Sequence, residues 1–287
     1  MLPNFFIVGA PKAGTTSLYH YLESHPDIYM SPVKEPNYFS HEDIVKQDLF
    51  YNEKGIASLA EYEALFNGAT TEKAIGEASV SYLFYDSVPG KIKKRVPDAR
   101  IIIMLRNPVD RAFSHFSMDK RLGYVNESFE SIFEHTGKSK LSHLYYQQYI
   151  ELGNYYKQVK RYLDIFPKEQ IKIFLLRDMK TDTPQLVKQL YKFLDVDENF
   201  VADVSEKFNS NAAPRTKLMS RLYQNQKLRS NIRRVLPANT VETVKKILFT
   251  PKKESLPDEL VVKLKAYYKS DIQQLENLLQ KDLKVWL

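Results

Sequence analysis

Residues 5–18 constrain the fold more than any other part of the chain. They begin with an apolar run at 5–8, continue through a turn rich in glycine and proline, and from Thr15 onward have the pattern of a helix start. A buried strand that passes through a tight loop into a helix directs the free N–H groups and the positive dipole end of that helix towards one point. Such a point binds anions, and phosphate is the usual one. The sequence therefore predicts an anion site directly after the first strand.

The loop differs from an ATP-binding loop at its most diagnostic position. Gly9 and Gly14 have the spacing of a P-loop, but that motif needs lysine directly after the second glycine, followed by a hydroxyl residue for magnesium. Thr15 occupies the lysine position, and Lys12 lies two residues before Gly14. We predict a loop that holds a phosphate-like group without a metal, with the Lys12 ammonium beside the leaving group. The alternative is a surface turn with a solvated lysine.

Apolar runs and amphipathic segments alternate along the chain. This alternation predicts an α/β fold: an open, P-loop NTPase-like parallel sheet flanked by helices, in a single domain over residues 1–287, with ligands at the carboxyl ends of the strands. The predicted strands are 5–8, 27–30, 74–77, 101–105 and 171–176; the predicted helices are 15–24, 59–66, 88–95, 108–122, 154–165, 184–194 and 257–279; residues 126–143 and 209–217 are predicted as ordered loops.

Composition excludes several classes of protein. A hydrophobic content of 43% and a charged content of 27% suit a globular domain with a real core. No apolar run could span a bilayer and no secretion signal is present, so we expect a cytoplasmic protein without a transmembrane segment. The absence of cysteine excludes disulfides, and the six histidines lack metal-ligand spacing. Residues 215–253 are strongly basic, which fits a solvated helix face or attraction for a nucleotide, nucleic acid, acidic glycan or anionic lipid.

A second anion site is predicted after the apolar run 101–105. Arg106 follows that strand, Pro108 stands where a helix begins, and Ser114 lies about two turns into the helix. A guanidinium and a hydroxyl at a strand end suit a phosphate monoester. Two anion sites on neighbouring strand ends predict a ligand with phosphates at two positions. Between them, Asp110 and Arg111 fit a surface ion pair as well as a functional role.

The two segments together resemble the sulfotransferases that use 3′-phosphoadenosine 5′-phosphosulfate (PAPS). In that family the first loop binds the 5′-phosphosulfate and the second segment binds the 3′-phosphate. Residues 34–39, 76–83, 152–155, 211–216 and 282–287 also resemble segments of its bacterial and glycan-modifying members. The resemblance implies PAPS as the donor, 3′-phosphoadenosine 5′-phosphate (PAP) as the product, and no metal. The implied donor-binding residues are Pro11, Lys12, Ala13, Gly14, Thr15, Thr16, Ser17, Arg106, Ser114, Arg215 and Lys217.

The resemblance also implies the catalytic roles. Lys12 would stabilise the leaving phosphate, and Glu35 would act as the general base towards a hydroxyl or amine acceptor. His25 and His41 are alternatives for the base, because imidazole titrates in the useful range. For Glu35 the structural alternative is an ion pair with Lys34.

An acceptor that contains carbohydrate is implied by residues 34–39, which resemble the Lys-Glu-x-x-(Phe/Tyr)-Phe segment of the glycan-modifying branch. One departure argues against a heparan-like specificity: Ala78 and Val80 stand where heparan-type members often have lysine and proline. The implied acceptor-binding residues are Lys34, Tyr38, Phe39, Ser81 and Tyr82.

We therefore expect a PAPS-dependent sulfotransferase without a nucleic-acid partner, and two rival interpretations stay open. A small-molecule kinase of the same fold would need a Gly-Lys-Ser/Thr loop and a magnesium-binding aspartate. A non-catalytic nucleic-acid-binding protein would use the basic C-terminal third. That second rival explains the charge, but it leaves the positions of Lys12, Arg106 and Ser114 at strand ends unexplained.

Overall fold

A parallel sheet of five strands, in the order β2-β3-β1-β4-β5, forms the centre of the molecule. The computed structural model describes residues 1–51, 54–205, 212–214, 249–251 and 255–287. The central strand β1 pairs with β3 on one side and with β4 on the other. The carboxyl ends of these three strands therefore lie side by side. The strands are β1 Phe5–Gly9, β2 Ile28–Met30, β3 Ala74–Ala78, β4 Arg100–Leu105 and β5 Ile171–Leu175.

The central strands are buried on both faces. Every residue of β1 and β3 is buried, and successive side chains of a strand point to opposite faces of the sheet. Strands covered on both faces read as continuous apolar runs, which is why the sequence shows no alternation here. The sheet confirms the predicted α/β fold class.

Helices connect the strands, and the bounds of the elements predicted from sequence differ from the structure by at most two residues. The helices are α1 Thr15–Glu23, α2 His41–Lys46, α3 Leu59–Ala64, α4 Val88–Arg95, α5 Pro108–Leu122, α6 Phe129–Phe133, α7 Ser142–Tyr149, α8 Tyr155–Ile165, α9 Leu176–Thr181, α10 Thr183–Leu194 and α11 Asp258–Leu279. Two short strands, β6 Ala212–Pro214 and β7 Phe249–Pro251, pair antiparallel.

The prediction of a loop at 126–143 was wrong, because α6 and the start of α7 lie there. Ser128 caps α6 by accepting a hydrogen bond at Oγ from the amide of Ser131, at 3.0 Å. Phe129 and Ile132 lie three residues apart and both enter the core. The helix is only five residues long, too short for a clear period in the sequence. Within the predicted loop 209–217, the described residues are those of β6.

Arg111 is fully buried, so the interpretation as a surface ion pair with the exposed Asp110 is wrong. Its Nη2 donates to the main-chain oxygens of Gln148 and Tyr149, at 3.1 and 2.5 Å. These carbonyls belong to the last turn of α7, where no intrahelical partner remains for them. A cation at a helix C-terminus is also favoured by the helix dipole. Arg111 thereby fastens α5 to the end of α7.

The N-terminus of α8 is capped from a distant part of the chain. The Asp271 carboxylate on α11 accepts hydrogen bonds from the amides of Tyr155 and Tyr156, at 2.7 and 3.1 Å. The Tyr155 hydroxyl in turn donates to the main-chain oxygen of Arg106 at 3.0 Å. Through α8, therefore, α11 supports the residue that follows β4.

The longest described helix is α11, with 22 residues. It is amphipathic, and its buried positions include Leu260, Leu264 and Tyr268. Among the helices of the described residues, none is both long enough and apolar enough to cross a membrane.

Candidate active site

The loop between β1 and α1 directs backbone amides towards the carboxyl edge of the sheet. The first amide of α1 with an intrahelical partner is that of Leu18, which bonds to the Gly14 oxygen. The amides of Thr15, Thr16 and Ser17 precede it and are left for another acceptor. Gly14 stands at the N-cap and has no side chain to cap the helix. This geometry is that of an anion site at a helix N-terminus.

Gly14 is required where it stands. Its φ of +93° is a conformation that side chains rarely adopt, and an added Cβ would lie 2.8 Å from both Leu176 Cδ1 and Met179 Cε. These two side chains belong to α9, the helix that directly follows the carboxyl end of β5 and packs against the loop. The loop is therefore held in its shape by α9.

Lys12 also adopts a left-handed conformation, with φ +66°, and its side chain points towards α5. The ammonium Nζ lies 3.2 Å from Met118 Sδ. Burial and, to a smaller extent, the charge of Arg121 lower the pKa of Lys12 to about 8, while Asp119 opposes the shift. An anion bound beside this ammonium would raise its pKa again, because an opposite charge favours the charged form.

Asp119 is a fully buried carboxylate that sequence reasoning missed. Its Oδ2 accepts hydrogen bonds from the Tyr51 hydroxyl at 2.5 Å and the Tyr149 hydroxyl at 3.0 Å. Its Oδ1 has no hydrogen-bond partner among the described residues. Burial raises the pKa of Asp119 to about 6, against the effect of the two tyrosine hydrogen bonds. A lone aspartate late in a helix gives no signal in the sequence, and the partners come from distant segments.

Arg106 joins the two predicted anion sites. Its Nη1 donates to the main-chain oxygen of Lys12 at 3.1 Å, because β1 and β4 are neighbours in the sheet. Its Nε is buried and without a hydrogen-bond partner in the described part of the chain. A buried donor without a partner is costly, and a phosphate oxygen would satisfy it. Burial lowers the pKa of Arg106.

These features fit the nucleotide donor that the sequence implies: an amide cradle, a lysine, and a guanidinium with a free buried donor. Ser114 lies on α5, the helix that follows Arg106, and is 8% exposed. Arg215 and Lys217 lie outside the described residues, so their predicted roles stay predictions.

Glu35 lies in the loop after β2, near the end of β3. Its amide donates to the Ala78 oxygen at 2.9 Å. Its Oε1 accepts a hydrogen bond from Lys34 Nζ at 2.7 Å, so the ion pair considered from sequence is present. Glu35 is also close enough to influence the pKa of Lys12, which it raises.

The two histidines considered as bases have structural contacts. His25 is 2% exposed, and its Nε2 lies 3.0 Å from the Asp197 oxygen. It lies between the end of α1 and the start of β2, at the amino ends of the strands and opposite the anion loop. His41 begins α2, and its Nδ1 lies 3.1 Å from the Lys54 oxygen. Within the described residues, no group of histidine, aspartate and glutamate side chains could hold a metal ion.

Two of the five residues predicted to bind the acceptor are in the core. Phe39 is 4% exposed and Tyr82 is fully buried. The Phe39 amide donates a hydrogen bond to the Tyr82 hydroxyl at 3.2 Å. These two side chains lie in the core, and their predicted contacts with the acceptor stay a prediction. Tyr38 and Ser81 are half-buried, and the Tyr38 ring stacks on Tyr62 with centroids 4.4 Å apart. Lys34 is also half-buried.

The fold and the sequence match known sulfotransferases. A crystal structure of a sulfotransferase from Alicyclobacillus acidocaldarius is 34% identical, with a TM-score of 0.73, and the match covers all of this chain and 99% of that one. Human bifunctional heparan sulfate N-deacetylase/N-sulfotransferase 2 is 27% identical over 68% of this chain, and human carbohydrate sulfotransferase 15 is 28% identical over the same share. The match spans 22% and 44% of the length of these two human proteins.

A family model described as a sulfotransferase domain matches residues 2–278, almost the whole of the chain. The match to the bacterial structure covers all of this chain. The chain therefore belongs to the sulfotransferase family.

Proposed function

We propose that this chain, acting as one domain over residues 1–287, transfers a sulfuryl group from PAPS to a hydroxyl or amine of an acceptor that contains carbohydrate. The observation that carries the proposal is the hydrogen bond from Arg106 to the main-chain oxygen of Lys12. It brings the two segments side by side, which supports one ligand with phosphates at two positions. A ligand with a single phosphate would engage only one of the two segments.

The donor would be held by groups that need no metal. The amides at the start of α1 and the hydroxyls of Thr15 and Thr16 would bind the 5′-phosphosulfate. Arg106 and Ser114 would bind the 3′-phosphate, with the free Arg106 Nε as one donor. Family resemblance adds Arg215 and Lys217 to this set.

PAPS supplies an activated sulfuryl group when bound. Lys12 would neutralise the negative charge that develops on the bridging oxygen as the sulfur–oxygen bond breaks and PAP leaves. Glu35 would take the proton of the acceptor as the new bond to sulfur forms. Lys34 would hold the Glu35 carboxylate through Oε1, so that the base has a fixed orientation.

Support for a carbohydrate acceptor comes from the names of the relatives, one of which acts on heparan sulfate and another on carbohydrate. The chain itself argues for an acceptor less anionic than heparan sulfate. Ala78 is fully buried and stands where heparan-type members often have a lysine, so this position offers no cation to an acidic sugar. Residue 80 is valine in place of proline.

Donor binding is tested by calorimetric titration of the wild-type protein with PAP, 5′-AMP and Mg-ATP, followed by the same titrations on Arg106→Ala. We expect tight binding of PAP only, with a loss of about tenfold or more in affinity in the variant. Lys93→Ala is a matched control, because it removes a cation from α4, away from the loop. Tighter binding of Mg-ATP than of PAP would refute the proposal in favour of a kinase.

Acceptor class is tested with sulfur-labelled PAPS and two polymers. De-N-sulfated heparin offers free amines, whereas chondroitin offers only hydroxyls and carries fewer charges than heparin. We expect label to enter chondroitin faster. Faster transfer to the de-N-sulfated heparin that is abolished by N-acetylation of its amines would establish N-sulfation. Transfer to neither polymer, with PAP binding intact, would refute the glycan acceptor while leaving the donor assignment.

A further inference from the structure

The loop that presents Glu35 has a backbone that other groups must hold in place. Glu35 has φ +66° and Asn37 has φ +52°, so two residues with side chains adopt the left-handed conformation within three positions. Each such residue costs about 1 kcal/mol or more and persists where the surroundings fix it. The supports of this loop therefore determine where the Glu35 carboxylate lies.

A buried carboxylate lies beneath this loop. Glu77, on β3, is fully buried and has no cation among its hydrogen-bond partners in the described residues. Its Oε1 accepts a hydrogen bond from the Tyr62 hydroxyl at 2.6 Å, and its Oε2 accepts one from Ser79 Oγ at 2.9 Å. The Tyr82 hydroxyl is also close enough to act on Glu77. A carboxylate kept in the core needs such donors, and it fixes the direction of their protons.

Ser79 connects the carboxylate to the loop. The amide of Asn37 donates to Ser79 Oγ at 3.0 Å. Because the serine hydroxyl has one proton, and that proton is directed to Glu77, its lone pairs are turned towards the Asn37 amide. Glu77 thereby fixes the direction of the hydroxyl, and the hydroxyl fixes the amide two residues after Glu35.

We propose that Glu77 and Ser79 are positioning residues for the transfer reaction: through the Asn37 amide they hold the backbone that presents Glu35 to the acceptor. The role rests on the proposed function, in which Glu35 is the base. Neither residue contacts the reacting atoms in this arrangement.

The loop has further contacts, and the test has to separate these from the proposed path. Ser81 Oγ donates to Asn37 Oδ1 at 2.6 Å, and the Glu35 amide donates to the Ala78 oxygen. Tyr62 and Ser79 form a matched pair for this purpose. Each donates one hydroxyl hydrogen bond to Glu77, but only Ser79 continues to the loop through a hydrogen bond. The Tyr62 ring stacks on Tyr38, and Tyr62→Phe keeps that ring.

The test compares Ser79→Ala with Tyr62→Phe. Both remove one hydrogen bond to Glu77 and should lower the melting temperature by similar amounts. Hydrogen exchange of a peptide covering residues 34–40 should become about fivefold faster or more in Ser79→Ala and stay near the wild-type rate in Tyr62→Phe. Equal exchange in the two variants would overturn the proposal, because the remaining contacts would then suffice to hold the loop.

Kinetics with labelled PAPS and chondroitin give a second readout. We expect kcat to fall about tenfold or more in Ser79→Ala, with the affinity for PAP unchanged, while Tyr62→Phe keeps nearly full kcat. Faster exchange without a loss of kcat would overturn the positioning role and leave the proposed function standing. An intact kcat in Lys12→Ala would instead refute the proposed function, and the exchange comparison would still report on the loop.

Glu77→Leu provides a further variant should Ser79→Ala prove too unstable to purify. Leucine is of similar size but accepts no hydrogen bond, so the Ser79 hydroxyl loses the acceptor that directs its proton. The same acceleration of exchange at residues 34–40 is expected. Unchanged exchange in Glu77→Leu would count against the proposal in the same way.

Discussion

Arg106 donates a hydrogen bond to the main-chain oxygen of Lys12 across 3.1 Å, although 94 positions separate the two residues in the chain. The guanidinium therefore supports the loop after β1, where Lys12 has a left-handed backbone conformation. It also offers its free Nε to a ligand. A change at Arg106 should disturb both functions, whereas a change at the Lys12 side chain leaves the main-chain contact in place. This difference makes Lys12 the cleaner position for a test of chemistry.

Replacing Lys12 with alanine should lower kcat by about 10²–10³-fold, as removal of one preorganised donor does in other enzymes. PAP binding should fall much less, because the amides and Arg106 remain. The measurement is the single-turnover rate with labelled PAPS. Lys120→Ala is the matched control, since Lys120 is exposed on α5, two residues after Met118. A loss below about tenfold would contradict the assigned role.

The rate should fall as the pH rises above about 8. The active form of Lys12 is the ammonium, its pKa is lowered to about 8, and the charge is therefore present below this pH and lost above it. The profile of kcat/KM for PAPS, which reports the free enzyme, measures this limb. In Lys12→Arg the guanidinium stays charged, so any residual activity should persist to a higher pH. The other charged groups that influence Lys12 are Arg121, Asp119, Arg106 and Glu35.

Arg111 has no role in the proposed ligand site, so Arg111→Met should destabilise the fold and leave the ligand-binding residues unchanged. The change leaves the Tyr149 carbonyl at the end of α7 without its buried donor, at a cost of about 1–3 kcal/mol, while the Gln148 carbonyl keeps His115 Nδ1 at 3.1 Å. Urea denaturation measures the free energy of unfolding. Arg95→Met removes an exposed arginine from the last turn of α4 and should change it by less than about 0.5 kcal/mol. Equal effects would show that the buried contact contributes nothing.

Stability should depend on pH through Glu77. Burial raises the pKa of this carboxyl to about 7, against the hydrogen bonds from Tyr62 and Ser79. Because the folded protein then holds the proton more tightly than the unfolded chain, the stabilisation is complete below about pH 4.5 and is lost as the pH rises through 7. Between about pH 5 and about pH 8 the wild type should lose roughly 2–3 kcal/mol more than Glu77→Gln. Parallel pH profiles for the two proteins would contradict this prediction.

The sequence was sufficient to predict that the loop after β1 and Arg106 lie near each other, because both depend on local patterns and on one rule of topology. Each residue follows an apolar strand, and parallel strands end at the same edge of a sheet. Once β1 and β4 were recognised as strands, Lys12 and Arg106 had to lie at that edge. For the hydrogen bond between Arg106 and Lys12, the one further condition is that β1 and β4 are neighbours in the sheet.

The structure was needed for residues whose partners lie far away in the chain. Arg111 looked like half of a surface ion pair, since the adjacent Asp110 is a local partner and the end of α7 is not. Asp119 depends on Tyr51 and Tyr149, which come from separate segments. Phe39 and Tyr82 were aromatic residues in acceptor-like motifs, and only the packing showed that they belong to the core.

The cap that Asp271 provides for α8 has a consequence for the order in which the protein can form during synthesis. Tyr155 leaves the ribosome 116 residues ahead of Asp271, so α8 lacks its cap until translation has passed Asp271. Until then the amides at the start of α8 are free, and the hydroxyl of Tyr155 is not yet fixed against Arg106. A nascent chain with a complete sheet would therefore lack the support that holds the main chain of Arg106 until α11 has been made.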